Sequence, residues 1–253
     1  MSGHSKWKTI KHKKGATDAK RGVLFTKLSR DITLAAKLGG GSDPDMNYQL
    51  RLAIDKAKTS NMPTDNIERA VKRGLGEGED QEQLEGVLYE GYGPGGAAIM
   101  LHAITSNRNR TASSVRSTFS KSGANLGESG CVAWNFETKG IITLEANQAM
   151  AEDIALSAID AGAEDVSIEQ NFIEVFTAPS DLIRVRQSLE AADVPISNAE
   201  LSMVPKVTVE LDDKQAEQTL RLLDLLEDLE DAQKVYTNAD FSDDVLEKYR
   251  GEG

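Results

Sequence analysis

The chain has 253 residues, 39% of them hydrophobic, which is enough apolar material for roughly two domains or three small ones. One cysteine and the absence of an apolar run of about 18 residues exclude a secreted disulfide scaffold and an integral helical membrane protein. The formal net charge is −12, and polar residues follow the basic N-terminus where a signal peptide would be apolar, so we expect a cytoplasmic protein.

Charge is distributed very unevenly along the chain. Residues 1–73 contain 16 Lys and Arg against 7 Asp and Glu, whereas the remainder contains 13 against 34. Lysine and arginine attract phosphate and release its counterions, so the basic end predicts a polyanionic partner and the rest an acidic body. A solvated basic tail without a partner is the alternative.

The first 14 residues combine cations with an aromatic ring, in Gly3-His4-Ser5-Lys6-Trp7 and again in Lys11-His12-Lys13-Lys14. An exposed indole stacks on an unpaired base for about 1–3 kcal/mol, so this composition suits nucleic acid. Alternatively, Trp7 packs against neighbouring helices while the lysines remain solvated. The candidate nucleic-acid-binding residues of this region are His4, Lys6, Trp7, Lys8, Lys11, His12, Lys13, Lys14, Lys20, Arg21, Lys27 and Arg30.

Three helices are predicted before residue 74. Apolar residues recur at spacings of three and four from Leu24 to Ala36, a second helix begins at Asp43 or Asp45 and ends at Asn61, and a third begins at Thr64. Together they predict a helical bundle. The glycine-rich and acidic residues 74–80 then predict a linker.

Strand-like segments follow at 87–92 and 97–105, and a helix at about 109–121. Residues 131–136 and 140–144 are predicted as two strands separated by a turn. From residue 140 the order β-α-β-β-α-β is typical of a ferredoxin-like domain, and residues 206–236 add a further β-α-β that we expect to pack on 81–130.

The predicted fold class is therefore α+β with three domains, in which a ferredoxin-like βαββαβ domain is inserted into a second α+β domain. The predicted boundaries are 1–78 for the basic tail and helical domain, 79–130 plus 206–240 for the discontinuous α+β domain, 131–205 for the ferredoxin-like domain, and 241–253 for a C-terminal tail.

A second candidate phosphate site lies at the predicted strand-to-helix junction 105–111. Free backbone N–H groups at a helix start, together with Arg108 and Arg110, are suited to hold a phosphate. Alternatively, Asn107 or Asn109 caps the helix and the two arginines pair with the acidic body.

The remaining motifs indicate neither catalysis nor a cofactor. The glycines of residues 89–96 superficially resemble a dinucleotide loop, but Pro94 interrupts them and a strand follows where a helix should begin. Zinc and P-loop spacings are absent, Cys131 suits a buried small residue, and no nucleophile, base and orienting group can be assembled. We expect no enzyme activity, no cofactor and no metal; a shared Mg²⁺ site among the acidic residues 227–231 is the alternative.

Several of these motifs together resemble the YebC/PmpR family of transcriptional regulatory proteins, which is related to the mitochondrial translational activator of cytochrome c oxidase subunit I. The resemblance rests on residues 1–7, 11–14, Asp43-Pro44 with Asn47, 61–63 with Asn66-Ile67, 89–96 and 107–111. It implies a helical N-terminal domain, two α+β domains, a cytoplasmic location and DNA binding. It also implies an association with the ribosome that helps translation past difficult sequences such as proline runs. Ser106 stands where the family is expected to carry an acidic residue, so no role is assigned to it.

The sequence thus predicts a non-enzymatic, nucleic-acid-binding regulator of gene expression, of the DNA-binding transcriptional type. The first alternative is a translation factor that binds ribosomal RNA on the ribosome. The second is a protein-interaction adaptor that acts through the acidic body. No membrane partner is expected.

Overall fold

The structure is a computed structural model that describes residues 18–39, 41, 43–77, 83–146, 148–169 and 172–251. Within these residues, no helix is both long and apolar enough to cross a membrane. The helices are α1 (Asp18–Leu38), α2 (Tyr48–Thr59), α3 (Thr64–Gly74), α4 (Arg108–Lys121), α5 (Gln148–Asp160), α6 (Leu182–Ala191), α7 (Asp213–Glu227) and α8 (Asp243–Gly251). The strands are β1 (Glu85–Tyr92), β2 (Ala98–Thr105), β3 (Asn125–Leu126), β4 (Phe136–Glu145), β5 (Asp165–Glu169), β6 (Phe172–Thr177), β7 (Ile196–Pro205), β8 (Val209–Glu210), β9 (Ala232–Thr237) and β10 (Ala239–Asp240).

Helices α1, α2 and α3 enclose a core of their own, which we call the helical unit. Leu28, Ile32 and Ala36 of α1 lie on one face because they are three and four residues apart, and they pack against Leu50 and Ile67. The side chain of Asn47 accepts a hydrogen bond from the Leu50 amide at the start of α2 and donates one to the Ala35 carbonyl. The prediction of three helices is confirmed, with Asn47 rather than an aspartate capping the second.

A four-stranded antiparallel sheet of order β3-β1-β2-β9 forms the second unit. Strand β9 pairs with β2 although more than 120 residues separate them, so the segment after residue 206 returns to the segment after residue 83. Val115 and Phe119 of α4 meet Leu220 and Leu223 of α7 in the core on one face of this sheet.

The third unit is a four-stranded antiparallel sheet of order β5-β6-β4-β7, with α5 and α6 packed on its core. Its chain order β-α-β-β-α-β and interleaved strands are those of the split β-α-β motif. The mixed α+β class is thereby confirmed.

Two local expectations are wrong. Residues 136–145 form one strand instead of ending and restarting around a turn at 137–139, because their pairing with β7 is continuous from Phe136 to Thr143. Residues 133–135 form a 3-10 turn instead of a strand. Long ladders override a local turn preference because every backbone group in the strand acquires a partner.

The C-terminal residues also differ from expectation. The sequence predicts a tail from residue 241, whereas the structure contains α8 at 243–251. Phe241, Val245 and Leu246 are buried in the core of the second unit, and Tyr249 packs against it. Burial of these apolar side chains stabilises a helix too short to form alone.

A buried carboxylate organises the loop between β3 and β4. Glu90, only 4% exposed, accepts hydrogen bonds from the backbone amides of Gly130 (2.7 Å), Val132 (2.9 Å) and Ala133 (2.8 Å). Burial by itself would raise the pKa of Glu90, but the three amides favour the charged form and hold the pKa below its ordinary value. The loop is therefore fixed from its inside.

We predict that Glu90→Gln lowers the free energy of unfolding by about 2–4 kcal/mol, because the amide oxygen cannot satisfy three buried donors. The lowered pKa means that the carboxylate stabilises the fold above pH 4.5, its ordinary pKa, and loses this effect as the pH falls through the lowered value. The stability difference between Glu90→Gln and wild type should therefore shrink in acid.

Urea denaturation followed by Trp134 fluorescence in a Trp7→Phe background measures both effects. Glu85→Gln, an exposed site on the same strand, is the control; an equal loss of stability in this control would contradict the prediction.

Candidate nucleic-acid interface

The predicted binding residues fall into three groups in the structure. His4, Lys6, Trp7, Lys8, Lys11, His12, Lys13 and Lys14 lie outside the described residues. Lys20, Arg21, Lys27 and Arg30 belong to α1, in which Arg21 is exposed and Lys27 and Arg30 are partly buried. Arg108 and Arg110 lie in the first turn of α4 on the second unit.

Arg30 and Arg110 meet at one carboxylate, Asp231. The Arg30 guanidinium lies 3.1 Å from Asp231 Oδ1, and Arg110 donates to Oδ1 at 3.0 Å and to Oδ2 at 3.1 Å. The Thr111 hydroxyl donates to Oδ2 at 2.6 Å. Arg30 also pairs with Glu230 at 2.9 Å. Two cations assigned to phosphate from the sequence are therefore engaged in ion pairs that join α1 to the second unit.

Asp231 is held in its charged form by these partners. Burial would raise its pKa, but the Thr111 hydroxyl and Arg110, with a further contribution from Arg30, bring the pKa below its ordinary value. The Asp231 side chain is 7% exposed and that of Arg30 13%, so the pair is shielded from salt much more than a surface ion pair.

Lys27 and Arg108 are also in contact with the acidic body. Lys27 donates to the backbone carbonyl of Glu227. Arg108, whose side chain is 64% exposed, lies 3.7 Å from Glu85. Asn107 caps α4 by accepting from the Arg110 amide at 3.1 Å, as one of the two interpretations of this junction expects.

A basic cleft opens between α1 and α3 on the helical unit, with a volume of about 310 Å³. Its floor contains the apolar side chains of Phe25 and Met62, and Arg69 and Arg73 are exposed at its wall. The guanidinium of Arg69 donates to the Asp65 carbonyl and the Asn66 side chain, which limits its freedom. The complete lining is Phe25, Thr26, Ser29, Arg30, Met62, Asn66, Arg69 and Arg73.

Neither Arg69 nor Arg73 is among the binding residues predicted from the sequence. A signal exists: Asn66, Arg69 and Arg73 are spaced three and four apart, so they follow one stripe of α3, while Ile67 and Ala70 face the core. Only the packing of α3 against α1 shows that this stripe borders a cleft.

Charged groups also fix the helical unit to both sheets. Asp31 of α1 interacts electrostatically with Lys56 of α2 and with Lys234, His102 and Glu200 of β9, β2 and β7. Lys234 lies 2.8 Å from Glu200. Burial raises the pKa of Asp31 and lowers that of His102. Arg186 of α6 pairs with Asp55 of α2 at 3.0 Å. These contacts set the direction in which the basic cleft faces.

Within the described part of the chain, no cluster of three or more His, Cys, Asp or Glu side chains is arranged to hold a metal ion. Asp228 and Glu230 are exposed, and Asp231 is occupied by Arg30 and Arg110.

We predict that Asp231→Asn destabilises the protein by about 2–4 kcal/mol at pH 7, because the variant leaves two guanidiniums without their shared anion. Since the pKa of Asp231 is lowered in the folded state, the wild-type advantage should persist at neutral pH and disappear as acid protonates the carboxylate. Urea denaturation at several pH values tests this. Asp228→Asn removes the same charge at an exposed position and should change stability by less than about 0.5 kcal/mol.

Comparison with known proteins shows the relatives of this chain. Residues 5–77 match the family described as "TACO1/YebC protein N-terminal domain", and residues 84–239 match "TACO1/YebC second and third domain". A "Probable transcriptional regulatory protein" of Dehalococcoides mccartyi is 56% identical over 252 residues, covering 100% of both chains. A protein with the same description from Geobacter sulfurreducens is 53% identical over 98% of this chain and 99% of its own.

The fold has a similar counterpart among solved structures. A conserved hypothetical protein from Aquifex aeolicus is 47% identical, with a TM-score of 0.84 over 92% of this chain and 96% of its own. Three findings agree: both family descriptions match along most of the chain, the relatives match over their full length, and a solved structure shares the fold. The chain belongs to the TACO1/YebC family.

Proposed function

We propose that this protein is a non-enzymatic, DNA-binding regulator of transcription that acts in the cytoplasm. The basic N-terminal segment and the cleft between α1 and α3 together contact the phosphate backbone. The observation that carries the proposal is that Arg69 and Arg73 line this cleft, so part of the positive charge of residues 1–73 lies on a folded surface. The regulatory names of the full-length relatives point the same way.

Within this interface, the residues of α1 and α4 contribute unequally. Lys20 and Arg21 belong to the first turn of α1 and follow the basic N-terminal segment in the sequence. Arg30 lines the cleft but also binds Glu230 and Asp231, so it orients the helical unit as well as adding positive charge. Arg110 lies across Asp231 from Arg30, and in this proposal Arg108, in the same turn of α4, extends the interface.

The three-domain division is part of the proposal. Three of the four apolar clusters among the described residues support it: one in the helical unit, one beneath the β3-β1-β2-β9 sheet and one beneath the β5-β6-β4-β7 sheet. The fourth, with Met100 and Tyr236 against Phe136 and Met203, lies between the two sheets. We place the boundaries at 1–78, 79–130 with 206–240, and 131–205, and assign α8 to the discontinuous domain because its apolar side chains lie in that core. In this arrangement the acidic domains carry the basic one and leave its cleft accessible.

A second candidate is a translation factor that binds ribosomal RNA. The specific observation in its favour is Phe25, an aromatic side chain at the floor of a cleft walled by arginines. RNA-binding proteins commonly hold unpaired bases on aromatic and guanidinium planes, whereas duplex DNA keeps its bases stacked inside. Binding to ribosomes and to duplex DNA is therefore compared in the first of the two experiments that follow.

We predict that replacing Lys11, Lys13 and Lys14 together by Ala flattens the salt dependence of DNA binding, because phosphate contacts release counterions in proportion to their number. The slope of log K against log salt concentration should decrease by up to about 2.7, or 0.9 for each lost contact. Fluorescence anisotropy with a labelled duplex from 50 to 300 mM salt measures it.

The matched control replaces Lys121, Lys206 and Lys214, three exposed lysines of the acidic body, by Ala. This control changes the net charge equally and should leave the slope within about 0.5 of wild type. An unchanged slope in the N-terminal variant would remove that segment from the interface. Co-sedimentation of the same variants with ribosomes separates the two candidate functions.

We predict that Arg69→Ala with Arg73→Ala weakens nucleic-acid binding about tenfold or more at 150 mM salt and lowers the slope by about 1.8. Both side chains are exposed, so circular dichroism and thermal stability should be preserved. Arg116→Ala with Lys121→Ala on α4 is the matched control, because it removes two exposed cations from a single helix elsewhere. Equal loss in both pairs would show that net charge alone, and not the cleft, determines affinity.

A further inference from the structure

Two aromatic rings converge at the surface of the second unit, away from the basic cleft. The side chain of Trp134 is 66% exposed and that of Tyr92 39% exposed. The indole Nε1 donates to the backbone carbonyl of Cys131 at 2.9 Å, and the Tyr92 hydroxyl donates to the same carbonyl at 2.8 Å. The shared acceptor therefore brings the polar ends of the two side chains to one backbone atom. We call these two residues the aromatic platform.

The backbone that carries Trp134 is held rigidly from several directions. The buried Glu90 carboxylate binds the amides of Gly130, Val132 and Ala133, immediately before Trp134 in the chain. Immediately after it, the Asn135 side chain donates to the Val207 carbonyl at 2.9 Å and accepts from the Val207 amide at 3.0 Å.

Such rigidity matters for binding. A ring that is already ordered loses little conformational entropy when a partner covers it, and tryptophan and tyrosine are the residues that dominate binding hot spots. Because the indole is two-thirds exposed, it contributes little to the core of the free protein. An exposed indole on a preorganised loop indicates a contact surface.

The charges around the platform decide which partner it suits. Glu128 is exposed in the same loop as Trp134, and Glu210 is exposed three residues after Val207, which is itself 60% exposed. One cation is also present, because Lys206 Nζ donates to the backbone carbonyl of Trp134 at 3.3 Å. The chain beyond residue 73 carries 13 basic against 34 acidic residues, so the acidic body as a whole attracts a cation, and the electron-rich face of the indole attracts it as well.

We propose that the aromatic platform is a docking site for an arginine-containing segment of a partner protein. A guanidinium stacks on the face of Trp134, Glu128 and Glu210 supply the complementary charge, and Val207 offers apolar contact to the neighbouring side chains of that segment. Arginine fits better than lysine because its planar, weakly hydrated cation stacks on aromatic faces. The site is independent of the nucleic-acid interface, so the protein would connect a polyanion to a cationic polypeptide.

The experiment uses the full chain and a fluorescein-labelled peptide, acetyl-(Arg-Gly)4, at 150 mM NaCl. Anisotropy should show saturable binding, weaker by about threefold or more for the (Lys-Gly)4 peptide and absent for (Glu-Gly)4. In a Trp7→Phe background, where Trp134 is the sole indole, unlabelled (Arg-Gly)4 should also change the tryptophan emission with the same midpoint. Equal affinity for the Arg and Lys peptides would overturn stacking.

Variants locate the site. Trp134→Ala should weaken binding of the Arg peptide by about fivefold or more. Trp134→Phe should weaken this binding by less, since phenylalanine retains a weaker aromatic face. Glu128→Gln with Glu210→Gln should also weaken binding of the Arg peptide relative to wild type. The matched controls are Leu225→Ala, another exposed apolar residue at 51% exposure, and Glu145→Gln with Glu152→Gln on the third unit; both should bind as wild type.

Two results would refute the proposal. If Trp134→Ala binds the Arg peptide as tightly as wild type, the peptide is attracted only by the general acidity of the body. If an unlabelled oligo(U) quenches Trp134 in the Trp7→Phe protein, and Trp134→Ala loses affinity for oligo(U) but not for the peptide, the platform binds nucleobases instead. Neither result depends on the Lys11, Lys13 and Lys14 experiment, so the two proposals fail separately.

Discussion

The Asp231 carboxylate, bound simultaneously by Arg30 of the helical unit and Arg110 of the second unit, is the contact on which the arrangement of the functional surfaces depends. It orients α1, and the orientation of α1 determines where the basic cleft faces. The neighbouring group of Asp31, His102 and Lys234 acts in the same way at the other contacts of α1. Each unit has its own apolar core, but much of what joins the helical unit to the others is charge. Such contacts require particular partners at particular distances, and this fixes a geometry more specifically than apolar packing does.

Separation of charge along the chain becomes separation of surfaces in the fold. The described basic residues up to position 73 belong to the helical unit, where Arg69 and Arg73 border the cleft, and the acidic excess belongs to the remainder of the chain. A protein with one uniformly negative surface would repel nucleic acid throughout. In the two proposals made above, the helical unit contacts phosphate and the surface near Trp134 contacts a cationic polypeptide, so the proposed partners carry opposite charges.

The candidate site shows where sequence reasoning succeeds and where it stops. The basic N-terminal segment and a cap by Asn107 or Asn109 follow from local composition and spacing, and the structure decides for Asn107. The pairing of Arg30 with Asp231 cannot, because about 200 residues separate them and nothing near Arg30 in sequence indicates an acidic neighbour. Arg69 and Arg73 were overlooked for the converse reason: their helix was correctly predicted, but a solvated stripe and the wall of a cleft have the same periodicity.

The sequence by itself determined the three helices, most strands, the return of residues 206–236 to the strands after residue 83, and the α+β class, because apolar periodicity records which face of each element avoids water. It also determined the family through motifs along nearly the whole chain. Tertiary structure alone decided that residues 136–145 continue as one strand, that α8 is part of a core, and that Glu90 fixes the loop presenting Trp134. Each of these outcomes depends on a partner distant in sequence. Such a contact contributes free energy only after the fold has brought the two partners together, so the local sequence does not reveal it.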